Sequence, residues 1–297
     1  MTVVLESRAL SKRYGKRPGL TDCTLSIPAG RVAGLVGPNG AGKTTLLNLA
    51  VGLLAPTSGT IEVLGGTPAS SSEQLARVGF VAQDTPTYAG LTVADHLKLG
   101  ARMNPGWDAK LATHRIESLR LDPRQRAGKL SGGQRAQLAL TLAIAKRPEF
   151  LVLDEPVASL DPLARREFLQ GLMEATVEQE LSVLISSHLV ADLERVCDYL
   201  ILLTDSRVLL AGDVDDLLAT HRLLTGPRRD KAALPAQWQI ISESHTDRQS
   251  TLLVRAADPV TDPAWAVDQI SMEDLVLAYM SKAAITPDRN RTLEVQR

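Results

Sequence analysis

A glycine-rich segment at residues 37–44, Gly-Pro-Asn-Gly-Ala-Gly-Lys-Thr, constrains this chain more than any other feature. The apolar run 32–36 before it predicts a buried strand, and residues 44–49 after it predict the first turns of a helix. Glycines in such a turn let several backbone N–H groups point into one concavity, and the helix N-terminus adds partial positive charge. The segment matches the pattern G-x-x-x-x-G-K-[ST] of a phosphate-binding loop, which predicts a nucleotide-binding protein.

The residues of this loop are expected to surround a polyphosphate. Lys43 is expected to reach the β- and γ-phosphates, and the hydroxyl of Thr44 to ligate Mg²⁺. A glycine turn that matches the pattern by chance is the alternative, and the predicted strand and helix on either side disfavour it. The predicted nucleotide-binding residues here are Gly37, Pro38, Asn39, Gly40, Ala41, Gly42, Lys43, Thr44 and Thr45.

A second predicted strand, the apolar run 150–153, ends directly in two carboxylates, Asp154 and Glu155. A strand that delivers a carboxylate at its C-terminal end is suited to hold Mg²⁺ beside a phosphate loop, so Asp154 is a predicted metal ligand. Glu155, one residue further, is placed to polarise a water for attack on the γ-phosphate. The alternative is an exposed acidic turn before Pro156, which the phosphate loop makes the weaker interpretation.

Between these motifs, residues 130–134 read Leu-Ser-Gly-Gly-Gln and open a predicted helix that stops before Pro148. Ser131 is a suitable N-cap, and the two glycines after it leave the first amides of the helix uncovered. The segment is either simply a capped helix or a second anion site at a helix N-terminus. One ATP does not need two such sites in one subunit, but two subunits arranged head to tail could each offer this site to the other's γ-phosphate.

In these residues and in their order, the chain resembles the ATP-binding subunits of ABC transporters, whose signature motif is Leu-Ser-Gly-Gly-Gln. The resemblance covers roughly residues 3–220. It implies an α/β fold: a phosphate-loop NTPase core with an antiparallel β subdomain and an inserted helical subdomain. It also implies that ATP is bound between two subunits, with signature residues Ser131, Gly132, Gly133 and Gln134 facing the partner's nucleotide.

Four further residues take roles from this resemblance. Tyr14 matches the aromatic residue that stacks on adenine, and Gln83 matches the glutamine that touches Mg²⁺ and senses the γ-phosphate. His188 matches the switch histidine that contacts the γ-phosphate and orients the attacking water. Asp161 lies in the segment that matches the loop crossing the dimer interface, and Asp161-Pro162 is also a good helix start, so both interpretations can hold.

The layout predicts an ATP-binding domain at residues 1–222 and an accessory C-terminal region at 223–297. Helical patterns near 92–100 and 109–119 predict a helical subdomain at about 86–147. By the resemblance, the surface of its segment near Pro86 to Leu99, which follows Gln83, receives a coupling helix from the membrane partner. The alternative for that surface is an ordinary linker and amphipathic helix. Gly226-Pro227-Arg228-Arg229 indicates a boundary.

Beyond that boundary the pattern predicts a small α+β appendage. Residues 238–241 and 251–254 are strand-like, and a capped helix is predicted over 271–280. This ending resembles the tails of the ATP-binding subunits of ABC-2-type exporters, which favours export. The other interpretation is an accessory element for stability or dimerisation.

Composition excludes some classes of function. Basic and acidic residues balance at 33 against 34, a net charge of −1, which gives no electrostatic case for nucleic acid as a partner. Two cysteines, Cys23 and Cys197, form no disulfide framework and suggest a reducing compartment. The N-terminus has no signal-peptide pattern, and no apolar stretch reaches the about 18 residues of a membrane span.

The sequence therefore predicts an ATP hydrolase that powers transport, with export favoured, through a separate integral membrane permease at the cytoplasmic face of the membrane. The working unit is expected to be a pair of ATP-binding subunits, either two copies or this chain with a paralogue. The alternative is a soluble ABC-type ATPase of cluster assembly or another non-transport process. A binding module that never hydrolyses ATP is disfavoured because Glu155 and His188 are both present.

Overall fold

A computed structural model of the chain describes residues 2–85, 87–229, 234–256, 259–285 and 294–295. No helix in these ranges has both the length and the apolar character needed to cross a bilayer. The strands are β1 Val3–Tyr14, β2 Arg17–Pro28, β3 Val32–Val36, β4 Ser58–Val63, β5 Val78–Val81, β6 Phe150–Leu153, β7 Ser182–Ser187, β8 Tyr199–Thr204, β9 Arg207–Asp213, β10 His221–Pro227, β11 Gln239–His245, β12 Gln249–Arg255, β13 Ala266–Asp268 and β14 Glu294–Val295. The helices are α1 Lys43–Ala50, α2 Ser72–Arg77, α3 Val93–Met103, α4 Ala109–Ser118, α5 Gly132–Ala145, α6 Pro162–Gln179, α7 Val190–Leu193, α8 Val214–Thr220 and α9 Met272–Ile285.

The central layer is a seven-stranded sheet in the order β14-β9-β8-β3-β7-β6-β5. Strands β3, β7, β6 and β5 are parallel neighbours, and β3, β7 and β6 are buried along their whole length. Helices and sheets cover both faces of such strands, so they appear in the sequence as continuous apolar runs. Along β3, Val32 and Val36 enter one apolar cluster, whereas Ala33 and Leu35 enter the other.

Each face of this sheet has its own core. On one face, α1 and an antiparallel sheet in the order β2-β1-β4 share a cluster with the central strands. On the other face, α5, α6 and α7 form the larger cluster. The predicted α/β phosphate-loop NTPase fold is confirmed, and its antiparallel β subdomain is the sheet of β1, β2 and β4.

The interval between β5 and β6 is helical. Helix α3 begins with a capping box between Thr92 and Asp95, and Asp108 caps α4. A small apolar cluster that includes Val93, Ile116 and Leu130 holds α3 and α4 against the start of α5. The helices agree with the patterns near 92–100 and 109–119, while Pro86, the predicted first residue of this subdomain, lies outside the described residues.

The C-terminal region forms a four-stranded sheet in the order β11-β12-β10-β13, with α9 beside it. Strand β10 starts at His221 and runs through Gly226 and Pro227, where the sequence indicates a boundary. A Cβ at Gly226 would lie 2.7 Å from the ring of Trp265, so this glycine is required by packing rather than by a flexible linker. The domain division at residue 222 stays a prediction.

Helix α9 connects this region to the rest of the molecule. Ser271 accepts a hydrogen bond from the amide of Asp274, as the predicted cap requires. The buried face of α9, which includes Met272 and Leu275, lies in the same apolar cluster as Leu193 of α7. The appendage therefore shares a core with the nucleotide-binding part of the chain.

Candidate nucleotide site

The carboxyl ends of four adjacent parallel strands bring the predicted site residues together. Gly37 follows β3, His188 follows β7, the pair Asp154-Glu155 follows β6, and Gln83 lies two residues beyond β5. Because parallel strands end at one edge of a sheet, residues far apart in sequence meet there. Of these residues, Gln83, Glu155 and His188 line a cavity of about 770 Å³ together with Tyr14 and most of the phosphate loop, whereas Gly37 and Asp154 lie beside it.

The loop geometry leaves the N-terminus of α1 open. Gly42, the N-cap, has φ +107°, and a Cβ there would collide with the carbonyl oxygen of Gly19. No side chain in the described ranges caps the helix, so its first amides remain available to a ligand. A Cβ at Gly37 would collide with the carbonyl oxygen of Leu203, so the close packing of the loop requires glycine at both positions.

Lys43 and Glu155 form an ion pair at the bottom of this cavity. Lys43, only 5% exposed, places Nζ 3.2 Å from Glu155 Oε1 and donates to the carbonyl of Gly37 at 2.7 Å. On its other oxygen, Glu155 is 2.9 Å from Nδ1 of His188. Burial opposes ionisation of Glu155, but the hydrogen bonds from His188 and Lys43 outweigh it and lower the pKa of this carboxyl.

The backbone of Glu155 is held in an unusual conformation, with φ +44°. A non-glycine residue in the left-handed region is strained and is kept only where the surroundings fix it. Its N–H donates to Ser186 Oγ at 2.9 Å, and Ser186 Oγ donates to Asp154 Oδ1 at 2.8 Å. Sequence reasoning did not assign a role to Ser186; its position two residues before His188, at the end of a buried strand, was the available signal.

The part of the cavity that Tyr14 lines is open to solvent. Tyr14 is half exposed, its hydroxyl lies 3.5 Å from Thr45 Oγ1, and Nζ of Lys12 lies 5.8 Å from the ring centroid. An exposed aromatic face at the mouth of a phosphate cavity can stack on a base.

The signature residues lie elsewhere on the surface. Ser131 Oγ accepts from the amide of Gln134, whose side chain accepts from the amide of Ser131, so a capping box closes the start of α5. Asp161 caps α6 by accepting from two amides, and a Cβ at Gly133 would lie 2.8 Å from Ala164 in the first turn of α6. The two segments are therefore neighbours, but neither lines the phosphate-loop cavity of its own chain.

A larger cavity, of about 950 Å³, lies at the opposite edge of the central sheet, around residues that precede the parallel strands. Its charged side chains include Arg77 and Arg147, which pair with Glu149 and Asp108. Cavity size therefore does not identify the site, whereas the open helix N-terminus and the Lys43–Glu155 pair do.

Comparison with known proteins finds both similar sequences and similar structures. A sequence model of the ABC transporter family matches residues 20–158. An uncharacterized ABC transporter ATP-binding protein, YxlF, of Bacillus subtilis (strain 168) is 32% identical over 72% of this chain and 72% of its own length.

Two further relatives carry transport functions in their names. The Nod factor export ATP-binding protein I of Cupriavidus pinatubonensis is 32% identical over 73% of this chain and 69% of its own length. The thiamine import ATP-binding protein ThiQ of Salmonella typhimurium is 35% identical over 66% of this chain and 86% of its own length. Among solved structures, an ATP-binding subunit of an ABC transporter superimposes with a TM-score of 0.65 at 28% identity, covering 73% of this chain and 92% of that one.

Proposed function

Because the chain belongs to the family of ABC transporter ATP-binding proteins, whose members hydrolyse ATP to drive transport, we propose that it is the ATPase subunit of an exporter with a separate membrane permease. The observation that carries the proposal is the group of Lys43, Glu155 and His188 at the base of the phosphate-loop cavity. A lysine, a carboxylate and an imidazole are groups that hydrolysis of a γ-phosphate needs, and both Lys43 and His188 lie within hydrogen-bonding distance of Glu155.

The chain also offers ligands for Mg²⁺. The hydroxyl of Thr44 and the amide of Gln83 line the cavity, and the carboxylate of Asp154 lies at the adjoining strand end. Hydroxyl, amide and carboxylate oxygens are the ligands that this ion prefers, so the donor set fits. The bound ion supplies positive charge next to the phosphates.

The side chains around the phosphate loop can carry out hydrolysis when ATP is bound. A γ-phosphate at the N-terminus of α1 gives Lys43 a new anionic partner in place of Glu155. The freed carboxylate can then accept a proton from an attacking water, while its bond to His188 keeps it in position. The amides of α1 and Lys43 stabilise the developing charge, which is the largest contribution expected in phosphoryl transfer.

The signature segment supports a composite site. Ser131 to Gln134 are too far from their own phosphate cavity to line it, yet they present an exposed helix N-terminus. Two chains arranged head to tail would place this segment and Asp161 against the partner's ATP. ATP would then favour the closed pair only through contacts made in that state. A specific activity that falls on dilution is the expected result, and undiminished turnover by isolated monomers would contradict it.

Glu155→Gln tests the hydrolysis proposal. The variant keeps the size of the side chain and removes the base, so it should bind ATP, lose turnover by about 10²–10⁴-fold and accumulate a closed dimer with ATP. Turnover and dimerisation are measured by phosphate release and size-exclusion chromatography. Glu149→Gln, the same change at the opposite end of β6, is the matched control and should leave turnover unchanged. Full hydrolysis by Glu155→Gln would remove Glu155 from this role.

A surface groove supports docking of the permease. The groove, of about 350 Å³, is lined mainly by apolar side chains, among them Leu53, Leu75 and Phe80. Leu53 and Leu75 are 64% and 48% exposed, and Phe80 lies on β5, the strand that leads to Gln83. An exposed apolar groove connected to a γ-phosphate sensor is suited to receive a helix of a membrane partner.

Export rather than import is favoured by the C-terminal region. The ending of the chain resembles the tails of the ATP-binding subunits of ABC-2-type exporters, and a Nod factor export protein is among its relatives. The competing function, a soluble ABC ATPase, has no comparable support.

Co-purification from membranes tests the partner. The chain should purify with a stoichiometric polytopic protein and lie at the cytoplasmic face of the membrane. Leu53→Glu should abolish this association while ATP hydrolysis by the purified subunit persists. Val177→Glu, at an exposed apolar residue of α6 outside the groove, is the matched control and should co-purify normally. Recovery of the chain only from the soluble fraction would favour the soluble ATPase.

A further inference from the structure

A second cavity, of about 470 Å³, lies between α4, α5 and α6 and shares no lining residue with the phosphate-loop cavity. Two of its walls are the helices whose N-termini carry Ser131 and Asp161. None of the sequence motifs accounts for it.

Arg115 of α4 is a partly buried cation on this cavity with unsatisfied hydrogen-bonding capacity. Among the residues that the structure describes, its buried Nε has no hydrogen-bond partner, and Nη1 makes only a long bond of 3.4 Å to the carbonyl of Gly171. Its guanidinium forms no ion pair with a carboxylate in the described ranges of the chain. Burial lowers the pKa of Arg115, and the more distant Glu174 and Glu178 oppose this only in part. Such a group is costly to keep unless something binds it.

Two neighbouring residues fit the same interpretation. Gln137 of α5 is 6% exposed and lines the cavity, and its Oε1 accepts no hydrogen bond from the described part of the chain. Gly171 lies inside α6, where glycine weakens a helix relative to alanine. A Cβ at this position would lie 3.0 Å from Arg115 Nη2, so the guanidinium occupies the space of the missing side chain. The cavity thus combines an unpaired donor, an unpaired acceptor and a glycine that makes room for the donor.

The charges around the cavity restrict what can bind. Three glutamates of α6 line it, against Arg115 and the exposed Arg120, so a simple anion would be repelled overall. A matching ligand carries two groups: a hydrogen-bond acceptor for Arg115, and a cationic donor for Gln137 Oε1 and the glutamates. We propose that this cavity is a binding site for a free α-amino acid, with its carboxylate on Arg115 and its ammonium group towards Gln137 and Glu174.

Calorimetric titration of the full chain tests the site, with glycine, L-glutamine and L-arginine as probes at millimolar concentrations. At least one of these amino acids should bind saturably, whereas acetate and methylammonium, which each supply one half of the ligand, should not. Arg115→Gln should weaken binding by about tenfold or more, because it removes a charge-assisted hydrogen bond. Arg120→Gln, the same change on the exposed rim, should bind like the wild type.

Thermal unfolding of the free variants separates binding from folding. Arg115→Gln removes a buried charge that lacks an ion pair, so it should melt at the same temperature as the wild type or higher. If it does not fold, Gln137→Met, which keeps the volume and removes the amide oxygen, takes its place with the same expected loss of binding. Absence of binding for all three amino acids, or equal binding by wild type and Arg115→Gln, would overturn the proposal.

Discussion

The N-termini of α1 and α5 were both predicted to bind phosphate, and the structure gives them different architectures. Gly42 starts α1 in a left-handed conformation without a side-chain cap, and Lys43 lies buried beside the open amides. Ser131 and Gln134 start α5 with a reciprocal capping box, exposed to solvent and outside the phosphate-loop cavity. The first helix end has a cation, a cavity and free amides, whereas the second has only the amides of its two glycines.

This difference predicts that the start of α1 binds phosphate alone and that the start of α5 does not. A helix N-terminus by itself contributes a modest electrostatic attraction, typically about 0.3–1 kcal/mol at an exposed position. Lys43 and the loop glycines add a charge and a concavity at α1, which the start of α5 lacks. We therefore expect the α5 end to bind only a phosphate that another subunit already holds.

Lys43→Ala should break the α1 site and has the largest expected effect. It removes the buried cation that faces the phosphates, so kcat/KM for ATP hydrolysis should fall by about 10²–10³-fold. Phosphate release by the purified protein measures this loss. Lys98→Ala, at a lysine that is 73% exposed, is the control and should leave turnover unchanged.

Replacing the glycines at the starts of α1 and α5 with alanine should change the free energy of unfolding by different amounts. Gly42→Ala places a side chain at φ +107° against Gly19, at a cost of about 1–3 kcal/mol, and should weaken nucleotide binding. A Cβ at Gly132 would meet only the side chain of Leu160, at an ordinary contact distance of 3.9 Å, so Gly132→Ala should fold at least as stably as the wild type. Urea unfolding measures both variants, and equal destabilisation would contradict the distinction.

Ser131→Ala should test whether the second cap has a role beyond folding. It removes the N-cap of α5 and should cost about 1 kcal/mol in urea unfolding. Ser71→Ala removes an equivalent cap from α2, where Ser71 accepts from Gln74, and should cost a similar amount. Only Ser131→Ala should also reduce hydrolysis and ATP-driven dimerisation; equal activities would make the cap purely structural.

The smallest of these effects is expected in acid, where protonation of Glu155 changes the free energy of unfolding. Its pKa is lowered in the folded protein from the ordinary 4.5, so the unfolded chain binds more protons between the two pKa values. The stabilisation from this carboxylate is complete above about pH 4.5 and is lost as pH falls through the lower, folded pKa. Glu155→Gln should reduce the pH dependence of unfolding in that acidic range only. If the slope of the free energy of unfolding against pH is unchanged, the pKa of Glu155 is the same in the folded and unfolded states.

The sequence predicted the elements of the site but not its contacts. The phosphate loop, the strand before Asp154 and the capped helix after Ser131 are local patterns, and each has a local physical cause. Ser186 lies 2.8 Å from Asp154 Oδ1 across more than thirty residues of chain, and no local pattern indicates that bridge. The roles of Tyr14, Gln83, His188 and Asp161 came from resemblance and stay predictions.

Gly226 shows what a local pattern leaves out. Glycine followed by proline is typical of a break between elements, and here the two residues are the last of β10, where the ring of Trp265 occupies the space of a side chain at Gly226. Similarly, Arg115, Gln137 and Gly171 read as ordinary helix residues until α4, α5 and α6 are packed together.

By itself, the sequence determined where a polyphosphate can be held and which carboxylates follow the neighbouring strand, because backbone conformation and apolar periodicity act over a few residues. Only the tertiary structure decided that Glu155 pairs with Lys43 and His188, and that the start of α5 lies apart from the phosphate cavity of its own chain. Those outcomes depend on strand order, and strand order is fixed by how both faces of the central sheet are buried together.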